Sequence, residues 1–212
     1  MEIIWQGHAH FRLKGREGLV VTDPSVRKGN GAATRVAADV VTVSHAHAGH
    51  NQVGLVGGQP RVLTGPGEYE VKGINIAGIA TFHDAERGKK RGKNTTYLIG
   101  LDDLIVCHLG DLGHIPTADQ VDQIGNDVDV LLIPVGGGST IDAVQAIEVI
   151  SLIDPRIVIP MHYQVGDLDA HLDPVEKFLR EMGVADAESQ PRALITRSSL
   201  PDATQVLVLQ PK

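Results

Sequence analysis

Cysteine is almost missing: Cys107 is the only one in 212 residues, which excludes an intramolecular disulfide and a cysteine-based zinc cluster. No run approaches the ~18 apolar residues of a membrane-spanning helix. The opening Met1-Glu2-Ile3-Ile4-Trp5 lacks the basic stretch and long apolar stretch of a secretion signal, so a cytoplasmic chain is expected. Basic residues are outnumbered, 19 against 26 acidic, for a net charge of −7. A broad basic surface for nucleic acid is thereby disfavoured. Aromatics are few, at three Phe, three Tyr and one Trp, whereas histidine reaches ten. A chain sparing with aromatics and generous with imidazole invites a search for metal.

The hydrophobic share of 42% and charged share of 21% are those of an ordinary globular chain. Short β-branched runs recur, each ending in a polar or histidine-bearing turn. Leu19-Val20-Val21-Thr22 leads to Asp23, Val40-Val41-Thr42-Val43-Ser44 to His45, and Leu104-Ile105-Val106-Cys107 to His108. Val130-Leu131-Leu132-Ile133 leads to Pro134, and Ile157-Val158-Ile159 to Pro160-Met161-His162. Such runs read as strands buried on both faces. Hairpin-like segments are expected around Gly65-Pro66-Gly67 and Lys72-Gly73. Helices are expected from the capping signature Thr117-Ala118-Asp119-Gln120 to Gly125, over Ile141 to Leu152 entered through Ser139-Thr140, and from Asp173-Pro174 to Gly183. No linker or repeat interrupts the pattern, which implies one α/β layered domain spanning 1–212.

The strongest chemical signal is Ser44-His45-Ala46-His47-Ala48-Gly49-His50. Residues two apart in extended chain point the same way, so His45 and His47 can converge on one point, with His50 reaching a neighbouring one after a turn. Imidazole is a favoured zinc ligand. Other strand ends add ligand types: Phe82-His83-Asp84, Leu109-Gly110-Asp111 and Met161-His162-Tyr163. Open α/β sheets place ligands at the carboxyl ends of strands, and this repeated strand-then-histidine order fits that rule.

The series Gly7-His8-Ala9, Thr22-Asp23-Pro24, His45-x-His47-x-x-His50, His83, Gly110-Asp111 and Pro160-Met161-His162 resembles the metallo-β-lactamase superfamily. More narrowly it resembles the branch with L-ascorbate-6-phosphate lactonase and N-acyl-phosphatidylethanolamine phospholipase D. The resemblance implies a four-layer αββα sandwich with metal at one edge of two sheets. It implies a first metal on His45, His47 and His83, a second on His50 and His162, and Asp111 bridging both; in a hydrolase, Asp111 or a remaining carboxylate would handle the proton. Asp23 would hold a ligand imidazole by hydrogen bond. One or two zinc ions are implied, with manganese or iron also suited to the ligand set.

The chain departs from the family motif His-x-His-x-Asp-His by having Gly49 where the aspartate stands. Three protein ligands plus water still make a workable catalytic zinc site, but affinity for the second metal should fall. Two functions follow. One is hydrolysis of an ester, lactone or phosphodiester-type bond in a small substrate by hydroxide generated on metal. The alternative is a metal-binding or ligand-sensing protein that kept the fold and lost most catalysis. Oligomeric state is left open, a homo-oligomer being compatible with the sequence.

Other groups are weighed against these. His8, His10, Glu68 and His114 are candidates to replace the missing ligand; His8 and His10, expected to share a face of the first strand, read rather as hydrogen-bonded histidines lining the site without touching metal, and His114 as a pocket or turn residue. His108 is expected to be structural, and His171 is given no role. The cationic run Arg87-Gly88-Lys89-Lys90-Arg91-Gly92-Lys93 reads either as a recruiter of phosphorylated or carboxylated substrate near His83 or as a solvated hairpin tip. Pro134-Val135-Gly136-Gly137-Gly138 lacks the ending of a nucleotide-binding loop, so its glycines read as close packing near the metal edge. No Gly-x-Ser-x-Gly elbow surrounds Ser44, which leaves a serine hydrolase with little support.

Overall fold

The computed structural model describes residues 1–25, 36–166, 171–184 and 187–212. The chain forms β1 (Glu2–Gly7), β2 (His10–Lys14), β3 (Leu19–Thr22), β4 (Val40–Thr42), β5 (Arg61–Leu63), β6 (Gly67–Val71), β7 (Ile74–Phe82), β8 (Lys93–Leu101) and β9 (Leu104–His108). Then follow α1 (Ala118–Ile124), β10 (Val130–Pro134), α2 (Ala143–Ile153), β11 (Ile157–Met161) and α3 (Val175–Glu181). Four two-residue strands close it: β12 (Ser189–Gln190), β13 (Ala193–Leu194), β14 (Gln205–Val206) and β15 (Val208–Leu209).

Two large sheets result, ordered β13-β1-β2-β3-β4-β5 and β14-β11-β10-β9-β8-β7-β6, with β12 and β15 pairing separately. Strands β3, β4 and β5 run parallel, as do β9, β10, β11 and β14. The apolar runs behave as expected, since β4, β10 and β11 are buried at every position. The main core joins Trp5, Phe11 and Leu13 of the first sheet to Ile76, Tyr97, Ile99 and Leu132 of the second. Ala143, Ala146, Val149, Ile150 and Ile153 of α2 belong to the same core. Across the first sheet, Val21, Ala38, Val41 and Val43 make a smaller core with Leu19, Val53 and Val56. The two-sheet sandwich with packed helices agrees with the layering expected. Among the described residues, no helix is long and apolar enough to cross a membrane.

Local expectations were met unevenly. Helix α1 has its full capping box, Thr117 with Gln120, and stops at Gly125. Lys72 and Gly73 both take positive φ, 54° and 83°, in the two-residue turn that joins antiparallel β6 and β7. The segment Gly65-Pro66-Gly67 is not a hairpin. It carries the chain from β5 in one sheet to β6 in the other. Helix α2 is entered through Asp142, whose carboxylate accepts from the Gln145 amide, because the Thr140 hydroxyl is turned to the Gly137 and Ile141 carbonyls. Helix α3 has Pro174 as its cap, one residue later than expected, while Asp173 pairs with Lys177 at 2.7 Å. Helix ends drift by a residue or two for this reason: several local polar groups compete to cap.

Candidate metal centre

Parallel strand direction decides where the polar residues meet. Strands β3, β4, β7, β9 and β11 all deliver their carboxyl ends to one edge of the sandwich, carrying Asp23, the His45–His50 segment, His83, Asp111 and His162. These ends open on a cleft of about 1060 Å³ lined by His45, His47, His50, His83, Asp111 and His162. The centre of the cluster is one oxygen. Asp111 Oδ2 lies 3.3 Å from His50 Nε2, 3.5 Å from His83 Nε2, 3.5 Å from His162 Nε2 and 3.9 Å from His45 Nε2.

These spacings test whether a metal fits. Tetrahedral ligands held at about 2.0–2.1 Å from zinc sit roughly 3.3 Å from one another, which matches the separations found. Hydrogen bonding does not account for the cluster, since His45 Nε2 and Asp111 Oδ1 are buried without a hydrogen-bond partner. Buried polar atoms without partners call for an ion or another explanation. Three overlapping triads have ligand atoms within 4.8 Å of one another: His45, His47 and His50; His45, His83 and Asp111; and His50, Asp111 and His162. Asp111 is common to the last two. The residues present fit a metal.

Supporting contacts aim the rings. Asp23 is wholly buried and accepts from the Ser44 amide at 2.7 Å and the Ser44 hydroxyl at 2.5 Å. Its Oδ2 also accepts from His50 Nδ1 at 3.0 Å. With its proton committed to Asp23, Ser44 Oγ can only accept from His45 Nδ1, 3.0 Å away. Both rings therefore carry Nδ1–H on the outer side and present Nε2 to the cluster. Asn94 fixes the backbone at Asp111: its Oδ1 accepts from the Asp111 amide at 3.1 Å, while its Nδ2 donates to Thr81 Oγ1 and the Leu109 carbonyl. Gly110, at φ 58°, makes room for this, because a Cβ there would lie 2.5 Å from Ser44 Cβ. Gly136 does the same behind His162, whose carbonyl a Cβ would meet at 2.2 Å. Close packing is thus the use of that glycine.

Charge is arranged around the same oxygen. Burial alone would raise the Asp111 carboxyl, but His162, His50, His45 and His83 outweigh it and hold it well below the usual carboxylate range. Burial, with His50 adding, pushes His45 down to about 4. Burial, aided by the Arg91 charge, also lowers His83 against the pull of Asp111. Both imidazoles are neutral at pH 7, as ligands must be. His50 differs: burial would lower it, yet Asp111 and Asp23 carry it up to about 9. A metal taking His50 must displace that proton.

The remaining histidines sort themselves by contacts. His47 is exposed, stacks on His45 with ring centroids 5.8 Å apart, and accepts from the Gly49 amide at 3.3 Å. His8 does not share a strand face with His10, because β1 ends at Gly7 and β2 begins at His10. His8 occupies the turn at φ 47° and lines the cleft 5.5 Å from the His162 ring, whereas His10 faces the Ser25 amide. His108 Nε2 donates to the Ala9 carbonyl at 2.9 Å, tying the two sheets together. His114 uses both ring nitrogens, accepting from the Phe82 amide and donating to the Ile115 carbonyl. Glu68 is exposed on β6 and is not among the residues that line the cleft.

Sequence reasoning missed Ser44 as a link between Asp23 and His45, and it missed Asn94, Ser139 and His171 at the cleft. It also missed Asp84. That carboxylate accepts from the amides of Glu86, Gly88, Lys90 and Arg91 at 2.7–3.0 Å. Partial desolvation pushes it up, but those four donors bring it down to about 2. Its stabilising effect is therefore full above the ordinary carboxylate value near 3.8 and fades as pH falls toward 2. Asp84→Ala should free the loop: tryptic cleavage at its Arg and Lys residues should quicken by about tenfold, with the core melting temperature nearly unchanged. Equal cleavage rates would show that the loop is held by something else.

Residues 2–162 match the beta-lactamase superfamily domain. UPF0173 metal-dependent hydrolases from Thermococcus onnurineus and Pyrococcus horikoshii are 27% identical over 190 residues and 26% identical over 211. Those alignments cover 77% and 86% of this chain, and 84% and 92% of the two relatives. A solved structure from Thermotoga maritima, of a chain placed in the metallo-β-lactamase superfamily, is 39% identical with a TM-score of 0.83. The match covers 100% of this chain and 99% of that one. At the finer level the similarity found is to the UPF0173 hydrolases. With residues 2–162 matched by the family and a 39% identical structure covering its whole length, the chain belongs to the metallo-β-lactamase superfamily of metal-dependent hydrolases.

Proposed function

We propose that the chain hydrolyses an ester, lactone or phosphodiester-type bond of a small substrate, with zinc held by His45, His47 and His83 in one position and by His50 and His162 in a second. Asp111 is shared by both. The observation that carries this is the gathering of four imidazole Nε2 atoms within 3.9 Å of Asp111 Oδ2. When bound, zinc lowers the pKa of a coordinated water and polarises the scissile carbonyl or phosphoryl oxygen. The chain's own residues do the rest. Asp23 and Ser44 fix two ligand rings, Asn94 fixes the Asp111 backbone, and in this reading Asp111 or a remaining carboxylate would take the proton of the attacking water. His8 flanks His162 at the cleft wall.

Elemental analysis of the purified protein, joined to rates on p-nitrophenyl acetate, a simple lactone and bis-p-nitrophenyl phosphate, tests the proposal. The expected result is at least one equivalent of zinc and turnover on one bond class that chelation abolishes and zinc restores. Bound metal with turnover on none of the three would move the chain to the metal-binding or ligand-sensing reading.

A further inference from the structure

The cationic segment after His83 is not one patch. Lys90 pairs with Glu86, and neither Lys89 nor Arg87 is among the residues that line the cleft. Arg91 and Lys93 do line it, beside His83 and Asn94. Neither has an acidic partner among the described residues, and Asp111 is the one acid among the described lining residues. That acid is buried and already surrounded by imidazoles. In a chain of net charge −7, the lip of this cleft is therefore locally positive.

A solvated hairpin tip would hold these cations loosely, but their backbone is fixed. The Arg91 amide donates to Asp84 Oδ2 at 2.7 Å, and the His83 amide donates to the Gly92 carbonyl at 3.1 Å. Lys93 begins β8 in register with Phe82 of β7. The hydrogen-bonded unit that carries His83 thus also carries both cations. Arg91 brings a planar fork suited to two oxygens of one anion, and Lys93 a point charge beside it.

We propose that Arg91 and Lys93 form an oxyanion subsite at the cleft mouth, so that the substrate carries a phosphate or carboxylate group near its scissile bond. This rests on the hydrolase reading above for the word substrate, but the subsite itself is testable without it. Calorimetric titration of chelator-treated protein with inorganic phosphate, and separately with acetate, removes any anion binding to metal. Arg91→Gln and Lys93→Gln, singly and together, should weaken binding, by about tenfold or more for the pair. The Lys89→Gln/Lys90→Gln variant should bind as the parent does. Preference between the two probes tells a phosphate from a carboxylate site. Unchanged affinity in the Arg91→Gln/Lys93→Gln protein would overturn the proposal, and so would an equal loss in the Lys89→Gln/Lys90→Gln control, which would indicate diffuse attraction. Failure of the hydrolase reading looks different: zinc-loaded protein inert on every ester, while phosphate binding still depends on Arg91.

Discussion

Asp111→Asn should cost the protein both its metal and its activity, with hydrolysis falling on the order of 10³-fold or more. The size follows from what is lost. Lewis-acid stabilisation by a bound metal is worth several kcal/mol, and about 1.4 kcal/mol is one decade in rate. Asp111 is the one residue common to the His45-His83 and His50-His162 triads, so its charge would serve both proposed positions. Asparagine keeps the shape and can keep the backbone contact to Asn94, so the fold should survive and a loss of metal can be read cleanly. Asp23→Asn is the graded comparison. It touches only the outer side of His50 and Ser44, and such outer partners are typically worth about 10–100-fold in metal affinity or activity. An Asp111→Asn protein that held its zinc and worked within tenfold of the parent would remove Asp111 from the centre of the mechanism.

Much of this centre was legible because it depends on two regular rules. Strands buried on both faces announce themselves as continuous apolar runs, and the residue that follows each run lies at a predictable edge of the sheet. His45 and His162 follow β4 and β11 in that way, whereas His83 follows β7, whose buried and exposed positions alternate, and Asp111 stands beyond the His108 that ends β9. What stayed hidden depends on contacts between segments far apart in sequence. Asn94 reaches Asp111 across 17 positions, and Asp23 reaches Ser44 across 21. Neither pairing has a local signature. Gly65-Pro66-Gly67 gives a correct turn signal but says nothing of which sheet receives the next strand. The cationic run is similar. Its charge is plain in the sequence, but its division into Lys90, paired with Glu86, and Arg91, facing the cleft, is made by Asp84 gathering four amides. An Asp followed by glycines and lysines hints at a turn, not at which side chains that turn directs inward.

Gly49→Asp should tighten the second equivalent of metal and leave the first nearly as it was. The backbone permits the change, since Gly49 is not among the glycines with positive φ, and a Cβ there would come no nearer than 3.3 Å to His47 Nδ1. A small shift of one exposed imidazole accommodates that. Gly49 lines the same cleft as His50 and His162, so the new carboxylate adds to the set His50, Asp111 and His162. If an outer partner is worth about 10–100-fold in affinity, a direct ligand should give at least about tenfold. The new Cβ meets none but His47 among the three groups proposed for the first metal, and that ring need give only a few tenths of an ångström, so the first binding event should change little and is read in the same titration. Competition against a chromophoric chelator would separate the two equivalents. Activity should rise most where metal is limiting and little where it saturates, because the added group acts on occupancy. Two superimposable titration curves would show that position 49 does not reach the second position, and that the glycine there is not what limits this site.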